Sequence, residues 1–337
     1  MRARIGKQLG EWGFLVSEQP FMTSPRRLMA VAIAGAGLGW SALAAAPLLA
    51  LAVPAVPAAL LATLLPILPS LVALGIARGA LPFPAPRIPC ANIEATRGPA
   101  PTRWLVAHCD SKAQSLSLAA RVLGTALAIT GGGGLVVMGL LRVLGPLPWG
   151  VVLGGVAAAV AGGGMLSRGS LTDESPGAVD NATGVVAALA AAESLRHDDR
   201  VGVLITDAEE LGMEGARAWV ATRGAVDAFI NFDGLDDRGR VWVTAHGAHG
   251  RPLREALTRE LDAAGYGAAR PLPFAIPVDG VVLGRAGHAG VTLSRGDVGT
   301  ARIIHTRHDS AARVSLATAI DVGRAAARVW SSALVDG

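Results

Sequence analysis

Val201-Gly202-Val203-Leu204-Ile205-Thr206-Asp207-Ala208-Glu209-Glu210-Leu211-Gly212 sets a short apolar run directly before an acidic turn. Such a run, bounded by turn residues, reads as a strand buried on both faces. The same pattern recurs on either side. Trp104-Leu105-Val106-Ala107 leads into His108-Cys109-Asp110-Ser111, and Ala228-Phe229-Ile230-Asn231-Phe232 leads into Asp233-Gly234. Arg240 to Thr244 alternates like a half-exposed strand, and Gly290 to Ser294 reads as a fifth. Between them lie helical stretches at Gly184–Leu195, Gly215–Arg223, Pro252–Ala264 and Val314–Leu334. Strands alternating with helices predict an α/β fold, a mixed and largely parallel sheet sandwiched by helices. Ligands of such sheets sit at the carboxyl ends of the strands.

The rest of the chain is of another kind. Of 337 residues, 51% are hydrophobic, only 17% are charged and 4% are aromatic. This composition excludes disorder and is poor in charge for an ordinary soluble globule. From Leu28 to Ala77 there is no Asp, Glu, Lys, Arg or His. Fifty uncharged residues suffice for two crossings at about 20 residues each. The break belongs at Pro54-Ala55-Val56-Pro57, and Pro66 and Pro69 predict a kinked second crossing. One long signal peptide is the weaker reading, given the length of the run and the lack of an A-x-A site at the expected short distance. Val122–Leu141 and Val143–Ser167 form a second apolar pair with Arg142 alone between them. Two buried Ala/Gly-rich helices are the soluble alternative for this pair. The glycines at 131–134 and 162–164 precede no Lys-Ser/Thr, so close helix packing explains them better than a phosphate loop.

The expected organisation is therefore a polar segment at 1–27, a transmembrane hairpin at 28–78, a first domain piece at 89–115, a second hairpin at 116–168 and the remaining domain at 169–337. Arg2, Arg4, Lys7, Arg26, Arg27, Arg78, Lys112, Arg121 and Arg168 lie on one side of such hairpins and only Arg142 on the other. The positive-inside rule then predicts an integral protein of a bacterial plasma membrane with its polar domain in the cytoplasm. The net charge of +4 does not signal nucleic-acid binding, because no basic run interleaves with aromatics. Two cysteines, Cys90 and Cys109, make no disulfide framework.

Three of the domain's strands deliver carboxylates or imidazoles to one sheet edge: His108 and Asp110, Glu209 and Glu210, Asp233. The loop Ser175-Pro176-Gly177-Ala178-Val179-Asp180-Asn181-Ala182-Thr183-Gly184 and the late Ile304-His305-Thr306-Arg307-His308-Asp309 add more. So many acids in one place repel one another unless divalent cations neutralise them. Mixed imidazole and carboxylate donors suit zinc, with cobalt or manganese as substitutes. Taken singly, His108 reads as a packed or surface histidine, Asp180 as a helix N-cap and Asp233 as a turn residue.

In order, His-x-Asp, Gly-Ala-x-Asp-Asn-x-x-Gly, Glu-Glu-x-Gly, Asn-x-Asp and His-Thr resemble the di-zinc aminopeptidase family of clan MH. That family takes in bacterial leucyl aminopeptidases, glutamate carboxypeptidase and, more distantly, glutaminyl cyclases. The likeness spans 89–115 and 169–320 and leaves out the apolar hairpins. It implies two zinc ions, with Asp180 as the shared ligand. His108 and Asp233 would complete one site, and Glu210 and His305 the other. Glu209 would be the general base that deprotonates the metal-bridging water, and Asp110 would orient the His108 imidazole. His308 rivals His305, and the His-Thr pattern favours His305. Cys109 stands where the family has an aromatic. Val278-Asp279-Gly280 stands where the family often has Ser-Asp-His, a departure that touches substrate contacts and not the metal ligands. Asn181 is expected to fix the turn around Asp180, Asp207 to be a loop residue, and His197, His246, His249 and His288 to be polar surface or loop groups.

The implied activity is an aminopeptidase acting on the N-termini of short peptides, with peptide and bilayer as partners. The alternatives are a glutaminyl-cyclase-like acyltransferase and a non-catalytic peptide-binding membrane protein. A transporter is disfavoured, since the first hairpin holds no ionisable residue.

Overall fold

The computed structural model describes residues 1–114, 116–169, 171–172, 174–223, 228–247, 250–272 and 276–332. The chain divides into two units. One comprises Met1–Thr23, Arg87–Ala113 and Asp173–Gly337, the other Ser24–Pro86 and Gln114–Thr172.

The first unit is built on a seven-stranded sheet. Its strands are β1 (Leu15–Thr23), β2 (Ile88–Thr96), β3 (Arg103–His108), β4 (Val201–Thr206), β5 (Ala228–Leu235), β6 (Arg240–His246) and β7 (Ala289–Gly296). Their spatial order is β1-β2-β4-β3-β5-β7-β6. The central four, β4, β3, β5 and β7, run parallel, and β1, β2 and β6 are antiparallel additions at the two edges. Every residue of β3 and β4 is buried, as expected of parallel strands covered on both faces.

Each sheet face has its own core. Leu105, Val203, Ile205, Ile230, Phe232 and Leu293 pack against α6 (Thr183–Ser194), α8 (Gly250–Ala263) and α11 (Ala317–Ser331). The alternate residues Trp104, Val106, Leu204 and Phe229 meet Trp219 of α7 (Glu214–Thr222) and Leu283 of α9 (Asp279–Arg285). This alternation follows from the two-residue period of a strand. The five expected strands and four expected helices are present, each within a few residues of its sequence-based limits. The expected last helix stops at Ser331, and its predicted end at Leu334 lies outside the described residues.

The sequence reading left residues 1–27 apart from the domain. Instead α1 (Arg2–Glu11) buries Ile5 and Leu9 in the first core, and β1 pairs with β2 along its whole length. Both strands escape the apolar pattern for a physical reason. β1 is a sheet edge with mostly exposed side chains and a proline at Pro20. β2 points Asn92 and Glu94 at polar partners, Gln19 and the Trp219 indole.

The second unit contains four helices long and apolar enough to cross a membrane, α2 (Arg26–Ala50), α3 (Ala55–Arg78), α4 (Leu118–Leu141) and α5 (Trp149–Ser167). The break between α2 and α3 spans residues 51–54, so of the expected Pro54–Pro57 only Pro54 lies in it, and Pro57 sits in the first turn of α3 where its missing amide is harmless. Pro66 and Pro69 lie inside α3, which is continuous across them. The glycines serve close packing. A Cβ on Gly131 of α4 would lie 2.3 Å from the Ala159 nitrogen of α5, and one on Gly162 of α5 2.3 Å from the Ala128 nitrogen of α4. Only hydrogen fits between these backbones.

Candidate metal centre

The carboxyl ends of β3, β4 and β5 and two loops bring the predicted residues together. His108 ends β3, and Asp233 lies near the end of β5. Glu209 and Glu210 occupy the turn after β4, which Ala208 enters with a φ of 58°. Asp180 lies in the loop that opens α6, and its peptide bond to Asn181 is cis. His305 follows α10 (Val298–Ile303) and holds a φ of 64°. A non-glycine residue in the left-handed region costs about 1 kcal/mol, so packing must hold both Ala208 and His305 there.

Two clusters share one residue. His108, Asp180 and Asp233 offer donor atoms within 4.8 Å of one another, and so do Asp180, Glu210 and His305. Asp180 turns Oδ1 to His108 Nε2 at 3.1 Å and Oδ2 to His305 Nε2 at 2.9 Å. Asp233 Oδ1 is 4.0 Å from His108 Nε2, and Glu210 Oε1 is 2.8 Å from His305 Nε2. All but Asp233 are buried, and Asp233 is half-buried. Glu210 Oε1 is buried without a hydrogen bond of acceptable geometry among the described residues. A carboxylate oxygen sealed from water and aimed at an imidazole nitrogen fits a site for a divalent cation.

Three acceptors hold the clusters in place. Asp110 accepts the amides of Glu209 and Glu210, both at 3.1 Å. Its backbone oxygen lies 3.1 Å from His108 Nδ1, closer than its carboxylate at 3.5 Å. The His108 ring is thus oriented mainly by a carbonyl, and the Asp110 side chain mainly holds the glutamate turn. That refines the role the resemblance implied. Asn181 fixes the turn as expected. It donates to Phe232 O at 2.9 Å and accepts from Gly184 N at 3.1 Å and Gly234 N at 3.0 Å, so one carboxamide brackets Asp233 and anchors α6. Asp309, which sequence reading quoted without a role, accepts the amides of Val179 and Asp180 at 2.6 and 3.1 Å.

The electrostatics follow from burial and mutual contact. Burial works to raise the Asp180 carboxyl, but the His108 and His305 contacts prevail and hold it well below the usual range. Burial opposes protonation of His108, yet Asp110 and Asp180 keep its pKa raised; His305 is raised in the same way by Asp180 and Glu210. Burial pushes Asp233 up to about 7 and Glu209 well above its ordinary value. Asp279, noted in the sequence only for the histidine missing beside it, is fully buried at the start of α9. It accepts from the Thr206 hydroxyl, and burial pushes it up to about 6.

The remaining candidates stay out of the clusters. Asp207 takes Arg2 Nη1 at 2.7 Å and the Ala91 amide at 3.2 Å. His308 is exposed, and Cys109 belongs to neither cluster. His288 is interior rather than a surface group, and His246 is half-buried. His246 Nε2 lies 2.9 Å from Thr292 Oγ1, and His288 is 3% exposed beside the Trp219 ring. His197 is exposed as expected, and His249 lies outside the described residues.

Residues 164–330 match peptidase family M28. No curated protein matches the chain. Among solved structures, the aminopeptidase from Aneurinibacillus sp. strain AM-1 is 13% identical over 97% of this chain and 86% of its own, with a TM-score of 0.55. A glutaminyl cyclase from Porphyromonas gingivalis is 14% identical over 98% and 87%, with a TM-score of 0.53. A zinc aminopeptidase from Bacillus subtilis is 17% identical over 72% of this chain and 51% of its own, with a TM-score of 0.47. This chain therefore spans about half the length of that aminopeptidase. At these identities the Aneurinibacillus and Porphyromonas likenesses establish a shared fold and nothing finer.

Proposed function

Because residues 164–330 of this chain match peptidase family M28, we propose that the protein is a membrane-embedded di-zinc exopeptidase, an aminopeptidase that removes N-terminal residues from short peptides. The observation that carries this reading is Asp180, which gives one carboxylate oxygen to each of two imidazoles at 3.1 and 2.9 Å. The arrangement supports Asp180, His108 and Asp233 as ligands of one zinc and Asp180, Glu210 and His305 as ligands of the other. Bound there, the two ions would polarise a scissile carbonyl and acidify water.

The chain's own groups do the rest. Glu209 belongs to neither cluster, yet it lies beside both in the same turn as Glu210. Burial raises its carboxyl, so it holds a proton more readily than an exposed glutamate. It takes the proton of the attacking water and passes it to the leaving amine nitrogen. Asp110 keeps Glu209 at the cation edge by its amide. Four apolar helices embed the enzyme. The basic residues bordering them, set against Arg142 alone at the other end, favour a cytoplasmic domain.

The test uses detergent-purified full chain. Expected are up to two zinc ions per chain, turnover of aminoacyl-anilides, and loss of that turnover in Glu209→Gln. Fewer than one zinc, or activity indifferent to Glu209→Gln, would overturn the proposal. Ammonia released from a peptide with N-terminal glutamine, without cleavage, would instead identify a glutaminyl cyclase. Sidedness is read by a cysteine at exposed His197 in a chain with Cys90 and Cys109 changed to Ser. Labelling of that cysteine by an impermeant reagent in intact cells would put the domain outside.

A further inference from the structure

The two clusters have the same composition, two carboxylates and one imidazole each. What distinguishes them is an ammonium. Lys112 Nζ lies 2.6 Å from Glu210 Oε2 and donates to the Glu210 backbone oxygen at 2.8 Å. Both side chains are withdrawn from water, at 12% and 5% exposure. The short segment 108–112 thus ties up nearly every polar group of Glu210. Asp110 takes its amide, and Lys112 takes its carbonyl and one carboxylate oxygen. Only Oε1 is left, buried and 2.8 Å from His305 Nε2. No lysine or arginine touches Asp233 in this way among the described residues, where it faces His108 Nε2 at 4.0 Å.

We propose that Lys112 makes Glu210 a one-oxygen donor and thereby sets the Asp180–Glu210–His305 cluster below the His108–Asp180–Asp233 cluster in affinity for a divalent cation. Two effects act with the same sign. Lys112 denies an incoming cation the second oxygen of Glu210, and it places a like charge beside the site where little water screens it. Affinity of oxygen-rich cation sites is set by ligand number and ligand charge, and Lys112 lowers both at one cluster only. Lys112 is a positioning residue, since it reaches the cation only through Glu210. The inference rests on the di-zinc reading.

The experiment is a zinc titration of chelator-stripped, detergent-purified full chain, followed by calorimetry. The wild-type chain is expected to bind two ions in steps separated by about tenfold or more. Lys112→Met is expected to tighten the weaker step by about tenfold while the tighter step stays within about threefold. Lys112→Gln keeps a donor for the carbonyl and for Oε2 without the charge, so it should tighten the weaker step by a smaller factor, and Lys112→Arg should behave like wild type. Two ions binding with equal affinity, or a weaker step unmoved or loosened in both Lys112→Met and Lys112→Gln, would overturn the role of Lys112 and leave the di-zinc reading standing. Saturation at one ion would overturn both. Should Lys112→Met fail to fold by circular dichroism, Lys112→Gln decides alone.

Discussion

Asp110 and Asp309 are used alike: each spreads its two carboxylate oxygens over two consecutive backbone amides beside a cation-facing carboxylate. Asp110 takes those of Glu209 and Glu210, and Asp309 those of Val179 and Asp180. A side chain that must donate at one defined point needs its backbone fixed, and a charged acceptor is the strongest local means of fixing an amide.

Asp309→Ala removes both bonds and leaves two buried amides without an acceptor. The expected loss is about 3 kcal/mol in the unfolding of the first unit, read by denaturant titration of the stripped chain. Asp309→Asn keeps one acceptor and should lose about half as much. Because Asp180 belongs to both clusters, zinc affinity should fall at both in Asp309→Ala. A variant as stable as its parent and with unchanged zinc binding would show that the fork is dispensable.

Glu209 lies outside both donor clusters, and on the proposed reading it moves a proton and holds no cation. Glu209→Gln should therefore keep its zinc content, measured by atomic absorption, while kcat falls by about 10²- to 10⁴-fold. Zinc lost along with activity would mean that Glu209 is a ligand.

The sequence showed the centre more clearly than its supports. His108, Asp180, Glu209, Glu210, Asp233 and His305 stand at strand ends or in short loops, where apolar runs break off and the chemistry is written in adjacent residues. The supports act at a distance in sequence. Asp309 reaches back 130 residues to the Val179 amide and Lys112 forward 98 to Glu210, and nothing local marks either contact. β1 and β2 were missed because an edge strand and a strand with a polar face lack apolar alternation. His246 and His288 were misplaced because burial of a polar ring is decided by tertiary partners, here Thr292 and Trp219.

The pH response of the stripped chain follows from opposed shifts. Asp233, raised to about 7, favours the fold when protonated, so its contribution is full below its ordinary value near 3.8 and is lost as pH climbs through about 7. Glu209, His108 and His305 are raised too and act in the same direction. Asp180 is lowered, so its contribution is present above its ordinary value and is lost as pH falls further. The stripped domain should thus be most stable at about pH 4–6 and weaken toward pH 8. Zinc displaces those protons, so loading at pH 6 should release on the order of one to two protons and restore stability at neutral pH. Calorimetry in two buffers of different ionisation enthalpy measures the release, and its absence would contradict the assignment of ligands.

Arg142 presents the one charge between α4 and α5, and it is 1% exposed. Its Nε donates to Leu48 O at 2.8 Å, and Nη2 donates to Leu51 O at 2.8 Å and Val53 O at 2.9 Å. These carbonyls belong to the end of α2 and the turn into α3, where no helical amide follows to take them; Leu51 O alone of the three also accepts a backbone amide, that of Val53 at 2.9 Å. A guanidinium can bind three such oxygens because its donors diverge in one plane, whereas an ammonium is a point charge. Arg142→Leu should therefore destabilise the helical unit by about 3 kcal/mol, with Arg142→Lys intermediate. Unfolding in mixed detergent micelles reads this directly. An Arg142→Leu chain as resistant as wild type would mean that the lipid interface, and not Arg142, satisfies these carbonyls.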